Sequence, residues 1–342
     1  MSFKALFYIE QNYAYAILRP LQTEIVTNGG SVYWFLAGDE VDANFLDTSE
    51  SRLPDVHSAV SLNASAVFAA SDHVPSFIPG LKVQVFHGLN EDKRTREYPE
   101  RGLFDLYCTE GPGRGLKLQQ LAEQREYFKV QDTGWIKLDS LFSHTPQIDN
   151  KANRPIVLFA STFTEKLSCA EQLFPKIKQL SELGNWQWLV TLHPKMAKET
   201  VEKYRSLVGP NLQFFGNDQV IDALHQADVM VCDNSSILQE FLLLKKPVVT
   251  FENSAPADCM LDINDPAMLQ GAIEEALNTS PELQKAIDAY GESVTTYLDG
   301  KSAARVYQAT KNMLDSGWQD KKPANYWRNW KMRCQLKYFK FF

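Results

Sequence analysis

Two doubly wound α/β domains in series are what this sequence predicts, on three observations. At 342 residues the chain exceeds the roughly 150 residues that one core commonly serves. Short apolar runs alternate with segments of helical spacing, the pattern of parallel strands covered by helices. A polar stretch over residues 145–155, closed by Pro155 and opened near Pro146, separates two such series and reads as a boundary.

In the first series, residues 3–9 and 31–37 read as strands around a helix at 13–26 that stops at Asn28-Gly29-Gly30. Short strands follow at 66–69, 82–86 and 103–108, then a helix over 117–128. In the second, strands at 156–160, 188–192, 212–215, 229–232 and 248–251 alternate with helices at 170–183, 196–207, 220–226 and 238–244. Helices at 266–279, 281–298 and 303–317 close it. The expected domains are therefore an N-terminal one at 1–148, a C-terminal one at 154–318 and a tail at 319–342. Two such domains imply a cleft, and ligands of doubly wound sheets bind beyond the carboxyl ends of strands.

Hydrophobic residues at 44% and charged residues at 23% are the proportions of an ordinary globular protein, not a disordered one. The net charge of −7 conceals a basic tail: Lys321, Lys322, Arg328, Lys331, Arg333, Lys337 and Lys340 meet no acidic residue in 321–342, which leaves residues 1–320 at −14. An acidic body argues against nucleic acid as a partner, because a phosphate backbone needs a basic track. Five scattered cysteines without a C-x-x-C pair fit a reducing compartment. Without a signal-peptide pattern or a spanning apolar run, the reading is a cytoplasmic protein.

The most informative segment is Asp233-Asn234-Ser235-Ser236, which follows the apolar run Val229-Met230-Val231-Cys232 and precedes an apolar helical segment. Such a junction offers backbone N–H groups and hydroxyls to an anion. Ser236 and Glu240 are four apart and share a helix face, so a hydroxyl can meet phosphate where a carboxylate meets a ribose diol. The same letters also make a plain helix cap. His87-Gly88 ends the predicted strand at 82–86, where an imidazole can act as a base near neutral pH and Gly88 can admit a close ligand, or where the pair simply makes a turn. His193-Pro194 ends the strand at 188–192, where both are expected to line a substrate site, with His193 donating to a diphosphate oxygen, or where Pro194 only terminates the strand. Ser161 and Thr162 bind phosphate or cap a helix, and Gly216-Asn217-Asp218 lies against a base or forms a turn. There is no P-loop, dinucleotide fingerprint, zinc motif or nucleophile elbow, so neither metal nor cofactor is expected.

The tail interleaves aromatic and basic residues from Tyr326 to Phe342. This composition suits an anionic membrane surface, or a terminal helix that packs its aromatics inward and solvates its charges.

Taken in order, several motifs resemble the CDP-glycerol glycerophosphotransferase family, the teichoic-acid-type polymerases and primases of GT-B fold. They are Val85-Phe86-His87-Gly88, Phe104-Asp105, Thr133-Gly134-Trp135-Ile136-Lys137-Leu138-Asp139, Ile156-Val157-Leu158-Phe159-Ala160-Ser161-Thr162-Phe163, Leu192-His193-Pro194 and Ala227 through Ser236. The resemblance implies two Rossmann-like domains facing across a cleft. It also implies transfer of a polyol phosphate from CDP-glycerol, or a related nucleotide-diphosphate donor, to a glycan or lipid-linked acceptor. His87 would deprotonate the acceptor hydroxyl; His193, Thr162, Ser235 and Ser236 would hold the diphosphate and Glu240 the ribose, without a metal. Three positions depart from the family's pattern: Asn234 replaces an aromatic, Phe86 a tryptophan and Thr164 an arginine. The alternatives are a nucleotide-sugar glycosyltransferase or 2-epimerase on the same scaffold, and a nucleotide-binding protein without turnover. The enzyme would stand in the cytoplasm, peripheral to the inner face of the membrane.

Overall fold

Both predicted sheets form, and both are wholly parallel. The computed structural model describes residues 2–86, 88, 100–143, 154–216 and 219–340. The chain divides into two compact units, Met1–Ser143 with Ser293–Phe342, and His144–Glu292. The expected linker falls mainly on residues outside those described.

The first unit runs β1 (Lys4–Ile9), α1 (Tyr13–Thr27), β2 (Ser31–Leu36), β3 (Ser51–Arg52), α2 (Val56–Ser61), β4 (Ala66–Ala69), β5 (Leu81–Val85), β6 (Leu106–Thr109), α3 (Pro112–Arg125), β7 (Lys129–Asp132) and α4 (Lys137–Ser143). Its strand order is β3-β2-β1-β4-β5-β6-β7. The second runs β8 (Ile156–Ser161), α5 (Ala170–Leu183), β9 (Gln187–Leu192), α6 (Lys198–Arg205), β10 (Leu212–Phe214), α7 (Val220–Gln226), β11 (Val229–Cys232), α8 (Ile237–Leu243), β12 (Val248–Phe251), β13 (Leu261–Ile263) and α9 (Leu269–Leu277), with α10 (Pro281–Val294) reaching the division. Its order is β10-β9-β8-β11-β12-β13. Central strands such as β8 and β11 are buried along their whole length, as parallel strands covered on both faces must be. In each sheet the order reverses beside its first strand, which opens a crevice at the carboxyl ends.

Two helices remain, α11 (Ser302–Asp315) and α12 (Tyr326–Gln335). The sequence reading placed residues 303–317 at the end of the second domain. Instead α11 packs on the first unit, so residues 293–318 leave the expected 154–318 span. Ala303, Val306, Tyr307 and Met313 join the core formed by Phe7, Ile17, Leu21 and Ile25, and Phe3 meets Tyr307 edge-on at 5.3 Å. The buried Asp139 carboxylate accepts from Ser302 N at 2.9 Å and Ala303 N at 2.6 Å, satisfying free donors at the start of α11. Thus Asp139, one of the motif residues, serves the fold. In the same motif Gly134 has φ +80°, and an added Cβ would stand 2.7 Å from Ser302 Oγ, so glycine is required there.

Asp105 is likewise structural. It accepts from Lys82 N at 2.7 Å and from Trp318 Nε1 at 3.3 Å, and it pairs with the buried Lys322 ammonium. Burial among these charges lowers the Lys82 pKa to about 8, although Asp105 opposes the shift.

Candidate functional site

Parallel register assembles one row of residues just past the strand ends of the second unit. Ala160 pairs with Cys232, Ser161 with Leu192 and Cys232 with Thr250. Two steps on from the first and last pairs and one step on from the second, the count brings His193, Thr162, Asn234 and Glu252 to corresponding positions just past the strand ends. Thr162 and Asn234 flank the point where strand order reverses, between β8 and β11.

Behind this row Asp233 is fully buried. Its carboxylate accepts from Ser161 Oγ at 2.5 Å, Thr162 N at 3.0 Å and Cys169 N at 3.1 Å. Burial raises its pKa, against the opposing pull of those hydrogen bonds. Asp233 and Ser161 were expected to face the ligand; the structure corrects both. Ser161 is 2% exposed, and its hydroxyl lies 2.8 Å from Ser168 Oγ besides meeting Asp233. Together they clamp β8, β11 and the start of α5, and so hold Thr162 in place.

Asn234 is corrected too. Its side-chain carbonyl accepts from Ser254 N at 2.8 Å and Ser254 Oγ at 2.6 Å, while Asn253 Nδ2 donates to Asp233 O at 3.1 Å. Asn234 therefore fastens the loop after β12, which the sequence reading passed over.

Thr162, Ser235 and Ser236 remain. Thr162 and Ser235 are half-buried and Ser236 is exposed, and their hydroxyls make no hydrogen bond among the described residues. Ser236 stands at the N-cap position of α8 without a side-chain cap bond, and the first turn of that helix carries the half-buried Glu240. Free hydroxyls beside backbone N–H groups at a strand–helix junction can receive phosphate oxygens.

His193 completes the row. Its Nδ1 accepts from Lys195 N at 3.1 Å, so the neutral ring carries its proton on Nε2. Burial first, and the Lys195 charge second, hold its pKa below 6.5. At neutral pH it is thus a hydrogen-bond donor. The Phe163 ring lies 4.4 Å away, with Lys195 Nζ 5.7 Å over that ring. Neither Phe163, present only as the end of a motif, nor Lys195 was expected in the site, although each directly follows a residue that was. Pro194 is exposed beside them.

Gly216 lines a cavity of about 620 Å³ at the end of β10 with Arg205, Phe214, Phe215 and Gln219, and the Arg205 guanidinium lies 4.9 Å over the Phe214 ring. Asn217 lies outside the described residues. So does His87, although Phe86 and Gly88 on either side of it are described. Phe86 is buried under the Arg114 guanidinium at 4.1 Å; Arg114 pairs with Glu110 at 2.7 Å and donates to Gly88 O at 3.2 Å. An added Cβ at Gly88 would meet nothing within 4 Å, so packing within the protein does not demand glycine there. Among the described residues no three His, Cys, Asp or Glu side chains gather as a metal-binding group.

The chain shares its two-sheet α/β fold with several solved structures. Solved structures similar to it include the wall teichoic acid polymerase TagF, at 12% identity and TM-score 0.62 over 92% of this chain and 90% of that one. MnaA of S. aureus with UDP is similar at 14% identity and TM-score 0.61, covering 94% and 99%. A Listeria monocytogenes protein described as a UDP-N-acetylglucosamine 2-epimerase is similar at 14% identity and TM-score 0.62, covering 94% and 100%. No protein of curated function matches the sequence. Residues 137–311, just over half of the chain, match the CDP-glycerol:poly(glycerophosphate) glycerophosphotransferase family. The chain belongs to that family and is a transferase.

Proposed function

We propose that the protein moves glycerol phosphate, or a closely related polyol phosphate, from a CDP-activated donor to a hydroxyl of a glycan or lipid-linked acceptor. CMP is the other product, and the reaction serves cell-surface polymer synthesis at the inner face of the membrane. The observation that carries this reading is the row at the reversal of strand order within the family-matched span. There the unengaged hydroxyls of Thr162, Ser235 and Ser236 stand with a neutral His193. These groups hold a diphosphate, Glu240 takes the ribose, and the Gly216 cavity receives the base. Fixed donors at the bridging oxygen stabilise the charge that develops as the bond to CMP breaks.

His87 supplies the other half of the chemistry. Its imidazole takes the acceptor's proton while that oxygen bonds to the phosphorus bearing the glycerol, and the phosphoanhydride oxygen leaves with CMP. Arg114 and Glu110 act as positioning residues for that strand end.

Thermal denaturation with CDP-glycerol, CDP-ribitol, CMP and UDP-N-acetylglucosamine tests the donor class. A ligand at 100 times its Kd adds about 2.7 kcal/mol of stability, so the cytidine compounds are expected to raise Tm and the uridine sugar to leave it unchanged. Stabilisation by the uridine sugar alone would point to nucleotide-sugar chemistry instead.

A further inference from the structure

The C-terminal tail is neither wholly packed nor wholly free. One side of it is locked onto the first unit. Met332 and Tyr338 are buried; the Tyr338 ring stacks on Phe77 at 5.0 Å and meets His57 edge-on at 5.1 Å. The Arg333 guanidinium lies 4.4 Å over Phe77. Asn325 Nδ2 and Arg328 donate to Arg101 O at 3.0 and 2.8 Å. Lys322 enters the buried pair with Asp105.

The other side faces solvent. Tyr326 is 85% exposed, Trp327 82%, Trp330 48% and Phe339 52%. Trp327 and Trp330, three apart on α12, share a face, and the Phe339 ring lies 6.1 Å from that of Trp330. Lys321, Lys331, Lys337 and Lys340 are exposed in the same segment, which has no acidic residue after Asp320. The cations held inside the fold are thus distinct from those left to solvent.

We propose that this outward face of α12 and the residues after it docks on an anionic lipid bilayer, with Trp327, Trp330 and Phe339 entering the headgroup layer and Lys331, Lys337 and Lys340 meeting lipid phosphates. Charge decides the occupant. The body of the chain carries −14, so an acidic surface attracts this segment and repels the rest, which orients the protein. Indole rings favour the headgroup layer, and each lysine near an anionic leaflet adds attraction that salt screens. Because the fold already holds α12, little ordering entropy opposes binding. No helix among the described residues is long and apolar enough to cross a membrane, so this contact lies on the surface. The inference stands on the tail alone and is independent of the transferase reading.

Sedimentation of the full chain with vesicles of phosphatidylcholine and phosphatidylglycerol tests it, against phosphatidylcholine alone. Binding is expected only to the anionic vesicles, to weaken as salt rises, and to fall about tenfold or more in Trp327→Ser/Trp330→Ser and in Lys331→Glu/Lys340→Glu. CMP release on a soluble acceptor should be unchanged in both variants, which separates this test from that of the reaction. Failure of the wild type to bind anionic vesicles at low salt would overturn the proposal, as would undiminished binding of both variants. A self-associating wild type that ignores vesicles and turns monomeric on Trp327→Ser/Trp330→Ser would assign the face to a second copy instead.

Discussion

Asp233→Ala is expected to lower the stability of the unit His144–Glu292 by about 3 kcal/mol, because two backbone N–H groups and a hydroxyl lose their acceptor at a buried site. Those donors are Thr162 N, Cys169 N and Ser161 Oγ. Asp233→Asn should restore little, since its amide nitrogen faces donors where a second acceptor is needed. Donor affinity should fall in both variants even under conditions where they remain folded, because Thr162 is no longer held in its row. Urea unfolding reads the first effect as a lower midpoint at unchanged slope, and calorimetric titration with a cytidine diphosphate donor reads the second. A variant of native stability that still binds donor tightly would show that the clamp is incidental.

The second large effect concerns turnover. His87→Ala should slow CMP release by about 100-fold or more, the contribution of general-base assistance, while donor affinity stays near that of the wild type. His193→Ala should behave differently. Its ring is a neutral donor at pH 7, held below 6.5 by burial and by Lys195, so its loss weakens donor binding as well as slowing the reaction. Equal turnover in His87→Ala and the wild type would take the base away from that strand end, and unchanged donor affinity in His193→Ala would remove this residue from the site. Intact binding with no turnover in any form, the wild type included, would describe a nucleotide-binding protein that lacks catalysis.

The strands were legible because buried parallel strands are continuous apolar runs: Ile156 to Ala160, Val229 to Cys232 and Val248 to Phe251 announce themselves. Lys129–Asp132 was missed for the opposite reason, being an edge strand of mixed polarity with no buried residue. Ser302–Asp315 showed a helical face but not its partner; its packing on Ile17, Leu21 and Ile25 and the Asp139 contact reveal that it belongs to the first unit. Periodicity states which face is buried, never against what.

At the candidate site, residue types singled out strand ends but not which groups engage one another. Asp233, Ser161 and Asn234 have the same chemistry as ligand-binding residues, but Asp233 and Ser161 are buried against each other and Asn234 is tied to Ser254. Register decides this, and register is a property of pairing between segments more than 70 positions apart. Thr162, Ser235 and Ser236 lie beside those residues in sequence, yet their hydroxyls are left unengaged among the described residues. Phe163 and Lys195 were hidden because an aromatic or a lysine past a strand end is unremarkable until its ring or ammonium is seen beside His193.

Product identity tests the central claim most directly. Incubated with CDP-glycerol and a hydroxyl-bearing acceptor, the wild-type protein should release CMP in step with glycerol phosphate joined to the acceptor, as followed by phosphorus NMR. Release of CDP, or no loss of CDP-glycerol at any acceptor concentration, would contradict it.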